Sequence, residues 1–598
     1  MNKREVFNVF HAAVCALGSV LLLAGETGVG TVVWLLGWLF IAWRVVAVGR
    51  AGNFGDRLGA WTSARLLLVL GLAGPVVHSS PAMPALAWVA LALFAVSVRT
   101  ESLVRRVGRY RGLRVANVPG VDTGGAPDVL LVVLAVLQHL VVPVLLLLGL
   151  FGQSGAWWLV AVLPSLVVAA VVVGSALSRR THSRRLQDEL PAALERLAPR
   201  FVLYWDAPKG SAYQVAMWLP YLERIGQPYL VMVRNVSAFT DVTALSSTTP
   251  VVLARSIADI GRCVPSSLTT AFYVNNAATN THLVRYGNLT HVQLLHGDSD
   301  KVASYNPVTV MFDKIYVAGQ AGINRYLDHG VDIPLEKFEI VGRPQVEAIG
   351  VAEVPLPELD RVPVVLYAPT WRGNQADADY SSLPQAPELF EQLLARGCSI
   401  VFRPHPYCQR DPEFRDVIAQ LHERLAQHSK ETGTRHRYGA EAEVEMSVTD
   451  CFNACDAMIS DVSGVVADFL YSEKPFALVA GAADPDRFVQ EFPLAKASYL
   501  LCGETEQWVT PLARMFESDP MAETRRSARV HYLGNFDRDH YAEAFVTVAT
   551  RQVGLVKDRR RPPYGQRVDT PDQGVVDTET VPERDREPEL AEIEDAAE

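Results

Sequence analysis

Residues 362–372 read Val362-Pro363-Val364-Val365-Leu366-Tyr367-Ala368-Pro369-Thr370-Trp371-Arg372. An apolar run over Val364–Tyr367, bounded by two prolines and rich in β-branched and aromatic residues, predicts a strand buried on both faces. The same construction recurs downstream at Ser399–Arg403, Ala457–Ser460 and Phe476–Val479. It recurs upstream at Phe201–Trp205, Tyr229–Val233, Val251–Ala254, Thr270–Val274, Val292–Leu295 and Ile315–Ala318. Amphipathic stretches separate these runs, and strands alternating with helices imply parallel sheets covered on both faces. Residues 351–363 carry three prolines and no clear period, which marks a hinge. The expected fold class is therefore α/β: two doubly wound, Rossmann-type domains, at 200–355 and 362–556, facing a cleft.

In such sheets ligands sit beyond the carboxyl ends of the strands, and four polar clusters fall there. His296-Gly297-Asp298 follows the strand at Val292–Leu295. An imidazole presented at a sharp turn is suited to take a proton from an alcohol; its plainer use is structural. Lys301, with Asp298 or Asp300, either orients that histidine, contacts phosphate or forms a solvated turn. Thr370, Trp371 and Arg372 follow Pro369. Arg403 and His405 stand two apart on an extended chain whose backbone is fixed by Pro404 and Pro406. They bracket a diphosphate, or else cap a helix and settle in a loop. Asp461, Ser463 and Gly464 lie where a strand passes into a helix; free N–H groups, a hydroxyl and a glycine there suit a phosphate, and equally an ordinary helix cap.

Working outward, the first 180 positions are crowded with apolar residues in a chain of 598 that is 49% apolar overall. Six stretches, near 8–24, 30–49, 58–77, 82–98, 128–151 and 156–177, are each long enough to cross about 30 Å of hydrocarbon as a helix. Arginines and lysines gather at the N-terminus, at 44–57, at 99–114 and at 179–185, while the intervening loops have none. That asymmetry predicts an even number of crossings with both ends inside. A six-helix membrane domain at 1–185 would thus place the soluble part in the cytoplasm. Within the spans Arg44, Arg65 and His139 are the polar residues of interest; Arg65 raises a re-entrant third helix as the alternative, and anchoring is the expected role of the whole.

Net charge is −10, but residues 566–598 hold twelve carboxylates against three arginines, so acidity belongs to a tail at 557–598 expected to be disordered. The near-neutral body, without a basic stripe, gives no support to nucleic-acid binding. Seven cysteines without paired spacing exclude a disulfide scaffold. His405, Cys408, Cys451 and Cys455 lack the spacing of a tetrahedral zinc site. No Walker-type phosphate loop and no serine elbow is present.

Four blocks, in this order, resemble the CDP-glycerol glycerophosphotransferase family of teichoic acid primases and polymerases. They are Gln293-Leu294-Leu295-His296-Gly297 with Lys301, Tyr367 to Arg372, Arg403-Pro404-His405-Pro406, and Ser460-Asp461-Val462-Ser463 through Asp468-Phe469 and Lys474-Pro475. The resemblance covers roughly residues 290–480. It implies a GT-B arrangement and a reaction in which an acceptor hydroxyl attacks the phosphorus next to glycerol in CDP-glycerol, expelling CMP with no cofactor. It implies His296 as catalytic base; Arg403, His405 and Ser463, with the Gly464 helix start, as the diphosphate site; and Thr370, Trp371 and Arg372 as lining of the cleft. Asp461 would organise the site, and Gly297 and Lys301 complete the substrate-binding set. The implied partners are CDP-glycerol or CDP-ribitol, a lipid-linked glycopolymer acceptor and the plasma membrane. Two departures stand out: Asp298-Ser299 where the family has Thr-Pro, and Gly464 where it has a second serine. The rival readings are another GT-B enzyme, either a nucleotide-sugar glycosyltransferase or a CDP-ribitol ribitolphosphotransferase, and a non-catalytic nucleotide-binding membrane scaffold.

Overall fold

The computed structural model describes residues 3–50, 61–109, 113–121, 129–297, 300, 302–372 and 380–556. Each of the six apolar stretches falls on helix: Lys3–Leu23, Thr27–Arg50, Thr62–Gly71 continued by Ala73–Ser79, Pro84–Arg109, Val129–Leu150 and Gly155–Leu197. Four apolar segments, Thr62–Ser79, Pro84–Val104, Val133–Leu150 and Gly155–Ser178, are long and apolar enough to cross a membrane, and the first two helices carry shorter apolar runs, Asn8–Leu23 and Thr27–Trp43.

Small residues let these helices approach closely, the usual device where neighbours are no more apolar than lipid. A Cβ on Gly18 would lie 2.6 Å from the backbone nitrogen of Trp34, and one on Gly74 would collide with the Leu22 carbonyl. Arg65, expected as the odd residue of the third span, is buried, and its Nη1 donates to Glu101 Oε2 at 2.6 Å and to Gln138 Oε1 at 2.9 Å. Gln138 in turn donates to Ser97. Three helices are thereby tied by one ion pair and an amide. The side chain of Arg44 lies outside the described residues, as do residues 557–598.

The first lobe is an eight-stranded sheet in the order β1-β4-β3-β2-β5-β6-β7-β8. Its strands are β1 (Arg114–Ala116), β2 (Phe201–Trp205), β3 (Tyr229–Val233), β4 (Val251–Leu253), β5 (Thr270–Tyr273), β6 (Thr290–Gln293), β7 (Lys314–Val317) and β8 (Phe338–Ile340). Strands β2 to β8 run parallel, and every residue of the central β2 is buried, which is why its sequence is an unbroken apolar run. The second lobe has five parallel strands in the order β10-β9-β11-β12-β13: β9 (Val364–Ala368), β10 (Ser399–Phe402), β11 (Ala457–Ser460), β12 (Phe476–Gly481) and β13 (Tyr499–Cys502). The two doubly wound lobes form the α/β pair expected of a GT-B arrangement.

Three features depart from the sequence boundaries. Strand β1, in the loop between two apolar helices, pairs antiparallel with β4 and ties the helical part to the first lobe. The helix Gly155–Leu197 runs past 185, and its Leu186, Leu190, Ala193 and Leu194 pack among Val202, Tyr204 and Tyr273 of that lobe. The helix Glu543–Gly554, assigned by sequence to the second domain, packs Phe545, Val546, Ala549 and Val553 into the core of the first.

Candidate active site

In each sheet the strand order reverses at one point, and the loops beyond that point splay apart to leave a crevice. In the second lobe the reversal lies between β9 and β11. The loop after β9 begins at Pro369 and the loop after β11 at Asp461. Asp461 is fully buried, and its two oxygens accept backbone N–H groups from Thr370 (2.7 Å) and Ser382 (3.2 Å), so it stitches the two loops together. Trp371, one residue on, stacks on His405 with ring centroids 6.2 Å apart and planes 27° apart. His405 Nδ1 accepts the Tyr407 N–H at 3.1 Å, which leaves the neutral ring's proton on Nε2 as a donor. Ser463 caps the helix Gly464–Phe469, its hydroxyl accepting from Val465 N at 3.5 Å.

The two arginines of the expected set are engaged elsewhere. Arg403 Nη1 donates to the Met446 carbonyl at 2.7 Å and to that of Ala442, holding the turn at Glu441–Glu445. Arg372 pairs with Asp411 and Glu413 at 3.0 Å each, its guanidinium 4.5 Å over the Phe414 ring. Thr370, Trp371, His405 and Asp461 are brought into one edge; these contacts of Arg403 and Arg372 lead away from it.

In the first lobe the strand after the reversal is β5, and His296 follows the next one, β6. Leu295 adopts φ 55°, a left-handed conformation rare for a branched residue and costly unless its surroundings hold it. Trp218 Nε1 holds it by donating to the Leu295 carbonyl at 2.7 Å. The turn so forced presents His296. Its Nδ1 lies 2.7 Å from the Val274 carbonyl, so Nδ1 carries the proton and the Nε2 lone pair is free to accept. Burial pushes this imidazole below the usual histidine range; the Val274 bond opposes that and Arg343 reinforces it. The surroundings thus bias this imidazole toward its neutral form.

Residues that sequence reading missed join the two halves. Arg343, just past β8, forks onto Asp468 through Nε and Nη2, the latter at 3.0 Å, while Nη2 lies 3.4 Å from the His296 carbonyl oxygen. Asp468 sits four residues beyond Gly464, about one helical turn. One guanidinium thus spans from the backbone of His296 to the helix that Ser463 caps. Asp300, read as orienting His296, contacting phosphate or forming a solvated turn, is a second tie. It accepts from Arg325 of the first lobe and from Leu494 N and Tyr532 OH of the second, all within 3.2 Å. Gly297 lines an open pocket with Trp218, Arg325 and Arg343. Lys301, Asp298 and Ser299 lie outside the described residues. Among the described residues no cluster of three or more His, Cys, Asp or Glu is placed to hold a metal ion.

No curated protein matches the chain in sequence. Its fold is similar to that of the wall teichoic acid polymerase TagF, at 15% identity over 64% of this chain and 95% of that one, with a TM-score of 0.40. It is also similar to a UDP-GlcNAc 2-epimerase from Methanocaldococcus jannaschii, at 11% identity over 59% and 99%, with a TM-score of 0.36. Neither likeness bears on substrate. The sequence match is local and specific, and it falls on the hinge, on β9 to β12 and on the loops that carry Thr370, His405, Asp461 and Ser463. Residues 351–489 match the model of the family CDP-Glycerol:Poly(glycerophosphate) glycerophosphotransferase.

Proposed function

We propose that the chain is a membrane-anchored glycerophosphotransferase that carries glycerol phosphate from CDP-glycerol to a hydroxyl of a lipid-linked acceptor or growing teichoic-acid-like polymer, releasing CMP. The observation that carries this reading is the His296 ring, with Nδ1–H fixed on the Val274 carbonyl, Nε2 left as the base, and Arg343 tying its backbone to the helix of the family-matched lobe. The acceptor oxygen forms a bond to the phosphorus next to glycerol as the bond from that phosphorus to the CMP oxygen breaks. The hydroxyl proton passes to His296 Nε2, and the electron pair of the broken bond leaves with CMP.

Charge growing on the leaving group meets the His405 Nε2–H, the Ser463 hydroxyl and the N–H groups that open the helix at Gly464. Trp371 offers a flat apolar face to the base of the nucleotide. Arg403 acts from behind this edge by holding the 442–446 backbone. In this reading the apolar helices keep the enzyme beside a lipid-borne acceptor, and the arginine-rich loops favour a cytoplasmic cleft, where nucleotide donors are made.

Membranes bearing the full chain, incubated with labelled CDP-glycerol, CDP-ribitol or a UDP-sugar, test the reading. Expected are CMP and a lipid-linked product from CDP-glycerol, with the rate reduced about 10²-fold or more by His296→Ala. Nucleotide release from the UDP-sugar alone, or an unchanged yield with His296→Ala, refutes it.

A further inference from the structure

At the reversal point of the first sheet, one buried amide faces the base. Gln214 is 9% exposed and lies in the short helix Tyr213–Ala216 beyond β2. Its Oε1 accepts two hydrogen bonds, from Trp205 Nε1 at 3.0 Å and from Asn275 Nδ2 at 3.2 Å. Indole nitrogen is a donor and nothing else, and the Asn275 amide is itself oriented by donating to the Asp206 carbonyl at 2.9 Å. The Gln214 amide therefore has one orientation, with its NH₂ turned away from Trp205. That NH₂ lies 3.4 Å from His296 Nε2. The polarity is also fixed at the far end, because Nδ1 must donate to Val274 and Nε2 must accept. A directed chain results, from Trp205 and Asn275 through Gln214 to His296 and on to Val274.

We infer that Gln214 is a positioning residue that holds the His296 lone pair in place and keeps the imidazole neutral until the acceptor hydroxyl arrives. The inference rests on His296 being the base of the proposed reaction. A donor on Nε2 favours the neutral ring and opposes the imidazolium. At 3.4 Å the bond is long, so a hydroxyl entering at Nε2 replaces it at little cost, whereas a bond near 2.9 Å would compete with the substrate. The other groups facing His296 among the described residues are Arg343, at its carbonyl, and the Tyr213 ring, edge-on at 6.0 Å. Neither supplies a donor to Nε2, so the task falls to Gln214.

The test is the pH dependence of His296 modification by diethyl pyrocarbonate, which attacks only the neutral ring, read by peptide mass spectrometry on the full chain in detergent. It needs no substrate. Gln214→Glu keeps the shape and leaves Oε1 for Trp205 and Asn275, but puts a carboxylate where the donor stood. Its half-point is expected to rise by about one pH unit or more, as for a charge partner within a few ångströms. The acid limb of kcat/KM for CMP release is expected to rise with it. Gln214→Leu, which removes the donor on Nε2 and adds no charge, is expected to move the half-point the same way by a smaller amount. Half-points that stay at the native value in both variants overturn the inference, whatever the activity. Half-points that rise while CDP-glycerol yields no CMP uphold the positioning role and refute the substrate assignment.

Discussion

Replacing Arg343 by methionine tests whether one guanidinium holds the two halves of the site together. The Arg343 side chain is 8% exposed and that of Asp468 19%, and they meet as a two-pronged pair. Removing one partner of a fully buried pair costs roughly 3–5 kcal/mol, because the other charge is left without compensation. Asp468 keeps some contact with water, which lowers the expected cost of Arg343→Met to about 3 kcal/mol. Adding Asp468→Leu removes the stranded charge, so the double variant should recover most of that loss. Activity should behave differently. Both variants cut the tie between the His296 carbonyl and the Ser463-capped helix, and a misplacement on the order of 1 Å costs roughly 10²-fold in rate. Urea unfolding in detergent, read by circular dichroism beside a CMP-release assay, separates the two effects. A single variant as stable as the native chain, or a double variant that regains activity along with stability, refutes the assignment of Arg343 as a cross-lobe tie.

Acid should destabilise the second lobe through His436. Its Nδ1 accepts the Ile400 N–H at 3.0 Å and its Nε2 faces His428 Nδ1, also at 3.0 Å; burial first, then His428 and Arg424, lower its pKa to about 4. Above about pH 6.5 the ring is neutral whether folded or unfolded. Below that the unfolded chain gains a proton the folded one refuses, so stability falls between pH 6.5 and 4 by about 3 kcal/mol. His436→Asn keeps an acceptor for Ile400 and should remove that decline; identical pH profiles for the two proteins count against it. In the helical part, Arg65→Met removes the buried ion pair to Glu101, whose side chain is 0% exposed, and should cost roughly 3 kcal/mol. Arg65→Met with Glu101→Met should restore most of it in a thermal unfolding scan in detergent, and a single variant with native stability sinks the claim that the pair pins the bundle.

Most strands were legible because buried parallel strands write themselves as apolar runs, as Phe201–Trp205 and Val364–Ala368 do. Strand β1 was not: Arg114-Val115-Ala116 is three residues long inside a run of arginines, and only its pairing with β4 makes it a strand. The histidines were legible because each follows a strand and abuts a glycine or proline. Arg403 illustrates the limit. Its N–H bonds to the Tyr367 carbonyl and that of His405 to the Pro369 carbonyl, both at 3.0 Å, so the expected two-residue alternation holds. Where the longer side chain goes is decided by the carbonyls of Ala442 and Met446, some forty residues away. Gln214 and Asn275 carry no spacing signal, since they meet only because β5 lies beside β2. The partner of Arg65 was hidden likewise, because Glu101 sits among the arginines that read as a loop.

The connections between the helical part and the first lobe bear on how the helices and the two lobes work in one chain. The helix Gly155–Leu197 has 43 residues and runs about 65 Å. An apolar layer of about 30 Å takes up fewer than half of them. Its last turns are cemented into the first lobe by Leu186, Leu190 and Leu194, although Pro191 removes one helical hydrogen bond there. A single such helix fixes the height of the lobe but leaves it free to turn about the helix axis. Strand β1, arriving from a different pair of helices and bonded along Arg114–Ala116 to the edge of the sheet, removes that freedom. Two attachments at separate points hold a body in orientation as well as in height. The first lobe, with the edge that carries His296, is therefore held in one orientation to the helices.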